Sequence, residues 1–492
     1  MGAMSIIGAP RSASTTRPTT GPAPRPTTTT PTPEASDMRE PQRVIRRLPR
    51  PRPSRVLTTD LLAVGGFVVL VTLGLWLRHG GLGLLLSGGT DTLSAIGQVS
   101  GLIAALAAFG GLLLTSRPRF MERRYGQDQL VALHRWFGIV TVVTVVIHAV
   151  TDTWAWGATT GGTIITGLVD LLANEAWMVA ALVSTVLFVT VGLTSWRRIR
   201  QFIPYETWYF VHLTGYLAVL LGFGHQLTLG TDIATDRLAL WWWCGLAIVV
   251  TGVIVYSRIG DLLRSFTRSF FVSTISREAN GIGSIHVSGP GLAHLRVAGG
   301  QYFNMRALTR HLWWQTHPFS VSAAPTTMGL RFTVKELGED STRLLQMQPG
   351  TRLLLEGPYG VFTADQAKGA PVVLVAGGVG IAPIRAVLED CGPHQAPVVI
   401  VRVRDEDDVA HRIELERLVA SRNGSLHILT GPRHWFTRHD PFAASTLRAW
   451  IPDIATRHVF VCGPASLESA VLTGMRKAGV PSANIHHERF GV

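Results

Sequence analysis

The sequence predicts a multidomain membrane protein, with a six-helix α transmembrane domain, a small antiparallel β-barrel and an α/β domain in that order. Three observations carry this. Six apolar runs, near 61–77, 93–114, 129–150, 176–195, 207–229 and 239–256, each approach the ~20 residues a helix needs to cross a hydrocarbon core. After about 258 the pattern changes to short alternating runs such as FFVSTIS and LRFTVKE, broken by Gly and Pro. From about 368 continuous apolar runs of parallel-strand type, VVLVAGG and PVVIVRVR, are each followed by a helical stretch. The composition agrees: 47% hydrophobic and 16% charged is oilier than a soluble enzyme.

The elements follow in chain order. Residues 1–55, rich in Pro, Thr, Ser and Arg, lack the apolar content to offset ordering entropy and are expected to be a disordered basic tail, suited to anionic lipid or a partner. No apolar stretch opens the chain, so a cleaved signal peptide is not expected. The tail holds ten Arg against three acidic residues, which accounts for much of the net charge of +13 without invoking a nucleic-acid partner. Three dispersed cysteines, Cys244, Cys391 and Cys462, make neither a disulfide framework nor a zinc site. The transmembrane domain is assigned to 56–258, the barrel to 265–366 and the α/β nucleotide-binding domain to 367–492. Arg-rich segments lie before the first span and after the second, fourth and sixth, whereas the alternate loops are nearly free of Lys and Arg. The positive-inside rule therefore puts both termini in the cytoplasm and the chain, multi-pass, in the cytoplasmic membrane. Thr163–Glu175 reads as an outer amphipathic turn or helix rather than part of the fourth span.

Four histidines sit in two of the spans: His134 and His148 in the third, His212 and His225 in the fifth. Ionisable side chains at membrane depth are expensive and point to function. Separations of 14 and 13 residues, at a 1.5 Å rise, place each pair about 20 Å apart along its helix. Each of two levels then has one imidazole from each helix, able to ligate a haem iron from both sides, His134 with His212 toward the cytoplasm and His148 with His225 toward the outer face. The alternative is interhelical hydrogen bonding or a proton relay. Thirteen residues leave about 140° between His212 and His225, so a kink, rewinding or tilt near Gly215, Gly222 or Gly224 is expected in the fifth span.

Further motifs follow: GGQYF (299–303), HPFSVSAAP (317–325), VKELGEDS (334–341), EGPYGVF (356–362), VAGGVGIAP (375–383), VFVCGP (459–464) and the terminal HHERFGV. GGVGIAP alone is a Gly-rich turn between strand and helix, a phosphate-binding device. In this order the set resembles the ferredoxin-reductase superfamily, and with the six-span histidine domain it resembles the branch of ferric reductases and NADPH oxidases. The resemblance implies an FAD-binding barrel and an NAD(P)H-dependent flavocytochrome reductase. It implies that His317, Pro318, Phe319 and Ser320 line the flavin, with Ser320 near the hydride-accepting nitrogen. It further implies that Tyr302, Gly357 and Pro358 bind the flavin, and that Lys335 and Ser341 hold the FAD phosphates. Gly377, Gly378, Gly380 and Pro383 match the dinucleotide loop, Cys462, Gly463 and Pro464 the segment beside the nicotinamide, and Phe490 an aromatic that covers the flavin. Cys462 would act by shape and weak hydrogen bonding rather than as a nucleophile. Arg402 and Arg404 are candidates for a ribose phosphate, favouring NADPH over NADH.

Electron counting joins the parts: nicotinamide gives two electrons at once, haem iron takes one, and flavin does both. The expected cofactors are FAD, two haem b and NADPH or NADH, and the expected partners are the lipid bilayer and an extracytoplasmic acceptor. Oxygen-reducing relatives carry a further histidine one turn beyond the outer ligand of the third span. Asp152 stands there, where a carboxylate would repel nascent superoxide, unless it is a solvated loop residue. A ferric chelate is therefore the favoured acceptor, with oxygen, or a partner protein served by a haem-bearing subunit, as alternatives. Trp154 and Trp156 either shape the exit or anchor the interface.

Overall fold

The computed structural model describes residues 4–7, 46–51, 58–432 and 440–489. The chain divides into two compact units, Arg52–Arg264 and Met1–Pro51 with Ser265–Val492.

Among the described residues six helices are long and apolar enough to cross a membrane: Thr58–Arg78, Gly89–Ser116, Gln129–Thr159, Met178–Ser195, Tyr205–Leu229 and Arg237–Arg268. The sixth runs ten residues past the expected boundary at 258. The third lies in a longer helix, Arg119–Thr159, interrupted at Gly126, whose φ of +73° is one that glycine adopts without strain. Ile164–Asn174 is a separate helix, started by a reciprocal cap between Thr163 and Thr166. The fifth span is a continuous helix, so no break at Gly215, Gly222 or Gly224 relieves the angular offset between its histidines. Leu70, Leu220, Trp241 and Ile248 stand exposed on these helices, a surface that suits lipid.

Among its described residues the second unit contains twelve strands: β1 (Met4–Ile7), β2 (Phe270–Ala279), β3 (Ile282–Ser288), β4 (Tyr302–Ala307), β5 (His317–Ser320), β6 (Leu330–Lys335), β7 (Arg352–Tyr359), β8 (Val372–Gly377), β9 (Val398–Arg402), β10 (Ser425–Leu429), β11 (His458–Gly463) and β12 (Ile485–Arg489). Six make an antiparallel sheet in the order β5-β4-β7-β2-β3-β6 around a core of Phe270, Phe303, Phe332 and Met305. The other sheet has the order β1-β10-β9-β8-β11-β12 and is parallel except for β1. Its central strand β8 is wholly buried, as the unbroken apolar run VVLVA requires.

Part of the segment expected to be disordered packs on this unit. Leu48 is buried in the barrel core, its N–H donates to the Pro325 carbonyl, and the Val297 N–H donates to the Pro49 carbonyl. Arg47 pairs with Asp390 at 2.6 Å and Arg50 pairs with Asp365, so the strap grips both halves of the unit. Composition failed here because a single buried leucine and two paired arginines suffice to fix a short segment on a preformed surface. Of the rest of 1–55, β1 pairs with β10 and the other residues lie outside the described ones.

A charged network also joins the barrel to the nucleotide-binding half. Arg331 on β6 holds Glu414 through two bonds of 2.8 Å, Arg385 meets the same carboxylate at 2.7 Å, and His411 bridges Thr333 at 2.9 Å and Glu278 at 3.1 Å. Burial raises the Glu278 carboxyl, but the His411 partner outweighs it and holds it at about 2; the Arg331 hydrogen bond brings Glu414 to about 2 as well. Both folded values lie below the ordinary 4.5. The stabilisation is therefore complete above that pH and is lost as pH falls toward about 2. Scanning calorimetry of the intact protein is expected to show the transition of this unit falling through that acid window. Glu414→Gln should lower the transition at neutral pH and flatten the acid dependence.

Candidate functional site

The third and fifth spans bring the four histidines together as two pairs. The rings of His134 and His212 have centroids 5.9 Å apart, and those of His148 and His225 6.3 Å apart. Two imidazoles on opposite sides of one metal, each nitrogen about 2 Å from it, put their ring centres roughly 6 Å apart. The second span fixes two of the rings from behind. The Nδ1 of His134 donates to the Gly111 carbonyl at 3.1 Å, and that of His148 to the Gly97 carbonyl at 3.0 Å. His212 Nδ1 meets Ser195 Oγ at 3.2 Å, and the Trp208 indole stacks on its ring. With Nδ1 engaged, Nε2 is the nitrogen left for a ligand. His225 Nδ1 is buried without a hydrogen-bond partner among the described residues.

Glycine makes room for this arrangement. A Cβ at residue 101 would sit 3.0 Å from His148 Nδ1, and one at residue 97 would sit 1.8 Å from Asp152 Oδ1. Sequence reasoning missed these residues; the G-x-x-x-G spacing of Gly97 and Gly101 was the available signal. Asp152 is no solvated loop residue: it lies in the third-span helix, with Oδ2 3.0 Å from His148 Nδ1. Trp156 donates to Asp170 at 2.8 Å, and Trp154 is exposed.

Around His148 and His225 opens a cavity of about 610 Å³, walled by Leu102, Phe109, Phe188, Val219, Phe223 and Trp243. That is the size and apolarity of a cofactor pocket. Among the described residues no group of three or more His, Cys, Asp and Glu could hold a metal ion. Two imidazoles facing across a greasy slot instead fit a planar metallocycle that brings its own equatorial ligands.

In the barrel, antiparallel pairing of β4 with β5 sets Tyr302 opposite Ser320, Phe303 opposite Phe319, Asn304 opposite Pro318 and Met305 opposite His317. Ser320 is buried with its hydroxyl unpartnered, and His317 Nε2 is buried without a partner, among the described residues. Such orphaned groups need an explanation, and a polar ligand supplies one. Burial lowers the His317 imidazole, which keeps it neutral at pH 7. Tyr302 packs on Tyr359 at 5.7 Å, and Gly357, at φ +144°, precedes Pro358 in a tight approach where a Cβ would meet the Phe303 ring at 2.9 Å. Ser341 does not stand free for a phosphate. Its Oγ accepts from the Leu337 and Gly338 N–H groups and donates to the Gly338 carbonyl, so its bonds are spent shaping the turn.

Lys335, Gly378, Arg402 and Arg404 line a second cavity of about 450 Å³. The Arg402 guanidinium is committed to the carbonyls of Val403 and Gly431, whereas Arg404 is exposed and carries no side-chain partner among the described residues. Strand β8 runs through Gly377 and Gly380 into the helix Ile381–Asp390, with Pro383 in its first turn, where a missing N–H costs nothing. A Cβ on Gly380 would lie 2.2 Å from the Cys462 carbonyl, and one on Gly463 would lie 3.1 Å from Gly377, so these turns are closely apposed. Pro464 starts the helix Ala465–Lys477. Burial pushes the Cys462 thiol well above its ordinary value, and its Sγ donates to the Glu488 carbonyl at 3.4 Å, which argues against thiolate chemistry. Phe490 lies outside the described residues.

Comparison with known proteins agrees with this division. Residues 100–223 match the ferric reductase like transmembrane component, 280–363 an FAD-binding domain and 374–473 an oxidoreductase NAD-binding domain. The chain is 31% identical over 188 residues to ferredoxin–NADP reductase B of Sorangium cellulosum (strain So ce56), covering 35% of this chain and 77% of that protein. It is 28% identical over 291 residues to a flavohemoprotein of Burkholderia sp. (strain TH2), covering 54% of this chain and 71% of the other. It is also similar to the solved flavohem-like FAD/NAD binding domain of nitric oxide dioxygenase from Vibrio cholerae O1 biovar El Tor, at 22% identity and a TM-score of 0.39 over 46% of this chain and 99% of that one. A transmembrane domain of this kind, joined to FAD- and NAD-binding domains, makes the protein an NAD(P)H-dependent oxidoreductase that drives electrons into a membrane. The chain belongs to the ferric reductase and NADPH oxidase-like transmembrane family, with a flavin module of the ferredoxin-reductase type.

Proposed function

We propose that the protein carries electrons from cytoplasmic NADPH across the plasma membrane to an extracytoplasmic ferric chelate, through FAD and two b-type haems. The observation that carries this is the pair of facing imidazoles at each of two levels, 5.9 and 6.3 Å between ring centres. When bound, FAD exchanges two electrons with nicotinamide and single electrons with haem iron.

The residues divide the work. His134 and His212 would hold the inner haem and His148 and His225 the outer one. Bis-imidazole ligation leaves no open position on the iron, which suits relay rather than substrate binding. Ser320 would turn its free hydroxyl to the flavin, between His317, Pro318 and Phe319 on one side and Tyr302 on the other, with Gly357 and Pro358 shaping the wall. Phe490 would cover the ring. The turn at Gly377, Gly378 and Gly380 would receive the dinucleotide pyrophosphate, with backbone N–H groups and a helix start behind it. Gly463 and Pro464 would border the nicotinamide, and Cys462, buried and protonated, would act there by shape. Lys335 supplies positive charge for phosphates, and Arg404 supplies a cation for a ribose phosphate, which supports NADPH. The Arg-rich segments at 117–124, 197–200 and 258–268 support a cytoplasmic position for the flavin module and both termini. Asp152 lines the outer cavity, and its carboxylate disfavours superoxide formation there, which supports a ferric chelate over oxygen.

Anaerobic NADPH added to the purified, haem-loaded protein is expected to reduce both haems promptly, and ferric citrate to reoxidise them faster than oxygen does. A spectrum that stays oxidised would sink the relay and leave a haem-bearing subunit that serves a partner. His148→Ala should lose one haem and retain NADPH-driven reduction of a soluble dye. Arg404→Ala is expected to raise KM for NADPH about tenfold, the scale of one lost charge-assisted hydrogen bond. KM for NADH should be nearly unchanged, and equal changes in both would remove Arg404 from cofactor discrimination.

A further inference from the structure

The two histidine levels differ in one feature that pairing alone does not require. Asp152 lies one helical turn beyond His148, and its Oδ2 meets His148 Nδ1 at 3.0 Å, sharing that nitrogen with the Gly97 carbonyl, also at 3.0 Å. Its Oδ1 is buried and has no hydrogen-bond partner among the described residues. A Cβ at residue 97 would overlap that oxygen at 1.8 Å, so the carboxylate occupies a slot left open by a glycine. Among the described residues the other three span imidazoles have no carboxylate on Nδ1. Among those residues His134 Nδ1 has the Gly111 carbonyl, His212 Nδ1 has the Ser195 hydroxyl, and His225 Nδ1 has no hydrogen-bond partner. Carboxylates inside membrane spans are costly, and one retained against a single imidazole calls for a function.

We propose that Asp152 is a positioning residue that fixes the His148 ring and increases its electron donation, making the outer haem site more reducing than a neutral partner would. This rests on the reading that His148 and His225 hold a haem. A carboxylate that accepts the distal N–H of a metal-bound imidazole fixes its tautomer and orientation and raises its basicity as a ligand. A more basic axial ligand and a nearby negative charge both favour ferric over ferrous iron, which lowers the potential. The inner level has only neutral acceptors, so the effect is confined to the level that faces the acceptor. Asp152 thus acts on the ligand behind the iron in addition to any action on the acceptor in front of it.

The test is a spectroelectrochemical titration of the full chain in lipid nanodiscs with both haems bound, with His148→Ala identifying which midpoint belongs to the outer site. Asp152→Asn is expected to shift the outer equilibrium at least tenfold toward the reduced form, 59 mV for one electron, and to leave the inner midpoint unchanged. A shift of the outer equilibrium smaller than tenfold, with both haems bound, overturns the proposal. Should Asp152→Asn lose the outer haem, electron paramagnetic resonance of the unsubstituted ferric protein decides the matter. Two distinct low-spin signals, of which the variant lacks only the one assigned to the outer site, support the proposal, and superimposable signals overturn it. Failure of the underlying reading looks different, because the unsubstituted protein would then show no Soret band at all.

Discussion

The carbonyls of Gly97 and Gly111 each face an imidazole Nδ1, at 3.0 and 3.1 Å, and the membrane unit is arranged around those two contacts. A ring nitrogen left bare in a low-dielectric interior is costly. Helical carbonyls normally belong to their own helix, but a carbonyl has two lone pairs, and glycine exposes the second to a neighbouring helix. Gly97 and Gly101 let the third span approach closely enough for that bond, because a methyl group at either site would collide with the Asp152 carboxylate or the His148 ring. Once Nδ1 is fixed, the ring has one free nitrogen and one direction in which to present it. The fifth span's imidazoles have different supports, Ser195 and the Trp208 ring for His212, and no hydrogen bond to His225 Nδ1 among the described residues. The second span thus works as a template and the fifth closes on it.

Much of this was legible in the sequence because the signals are periodic or categorical. Span number follows from the length of apolar runs, and all six expected runs overlap the observed helices. The separations of 14 and 13 residues were enough to expect two levels, since rise per residue is nearly constant in a helix. The angular offset misled, because an uninterrupted helix still brings each ring to its partner. Gly97 and Gly101 were not legible as histidine supports, since their value depends on what another helix points at them. Ser341 and Arg402 illustrate the converse. A motif supplies a donor at the right position, but local valence decides whether that donor is free, and both are spent on neighbouring backbone groups. The strap Arg46–Pro51 was invisible for a third reason: average composition over 55 residues hides one leucine with a pocket to fill.

The unpaired polar atoms mark where the fold is incomplete on its own terms. Ser320 Oγ and His317 Nε2 in the barrel and His225 Nδ1 in the membrane unit are buried without hydrogen-bond partners among the described residues. Each such atom costs on the order of 1–3 kcal/mol if left so. A fold selected for stability alone would replace Ser320 by Ala and His317 by an apolar residue, since the surrounding core, with Phe303, Met305 and Val321, is apolar already. The flavin module is held by other devices: the Arg331–Glu414–Arg385 cluster, the His411 bridge and the strap at Arg47 and Arg50. Stability is thus supplied in large part at the seam between the two halves of the module, while Ser320 Oγ and His317 Nε2 stand on β5, against β4. Those devices let β5 keep polar atoms the core does not need, at the position where a bound polar ring would satisfy them.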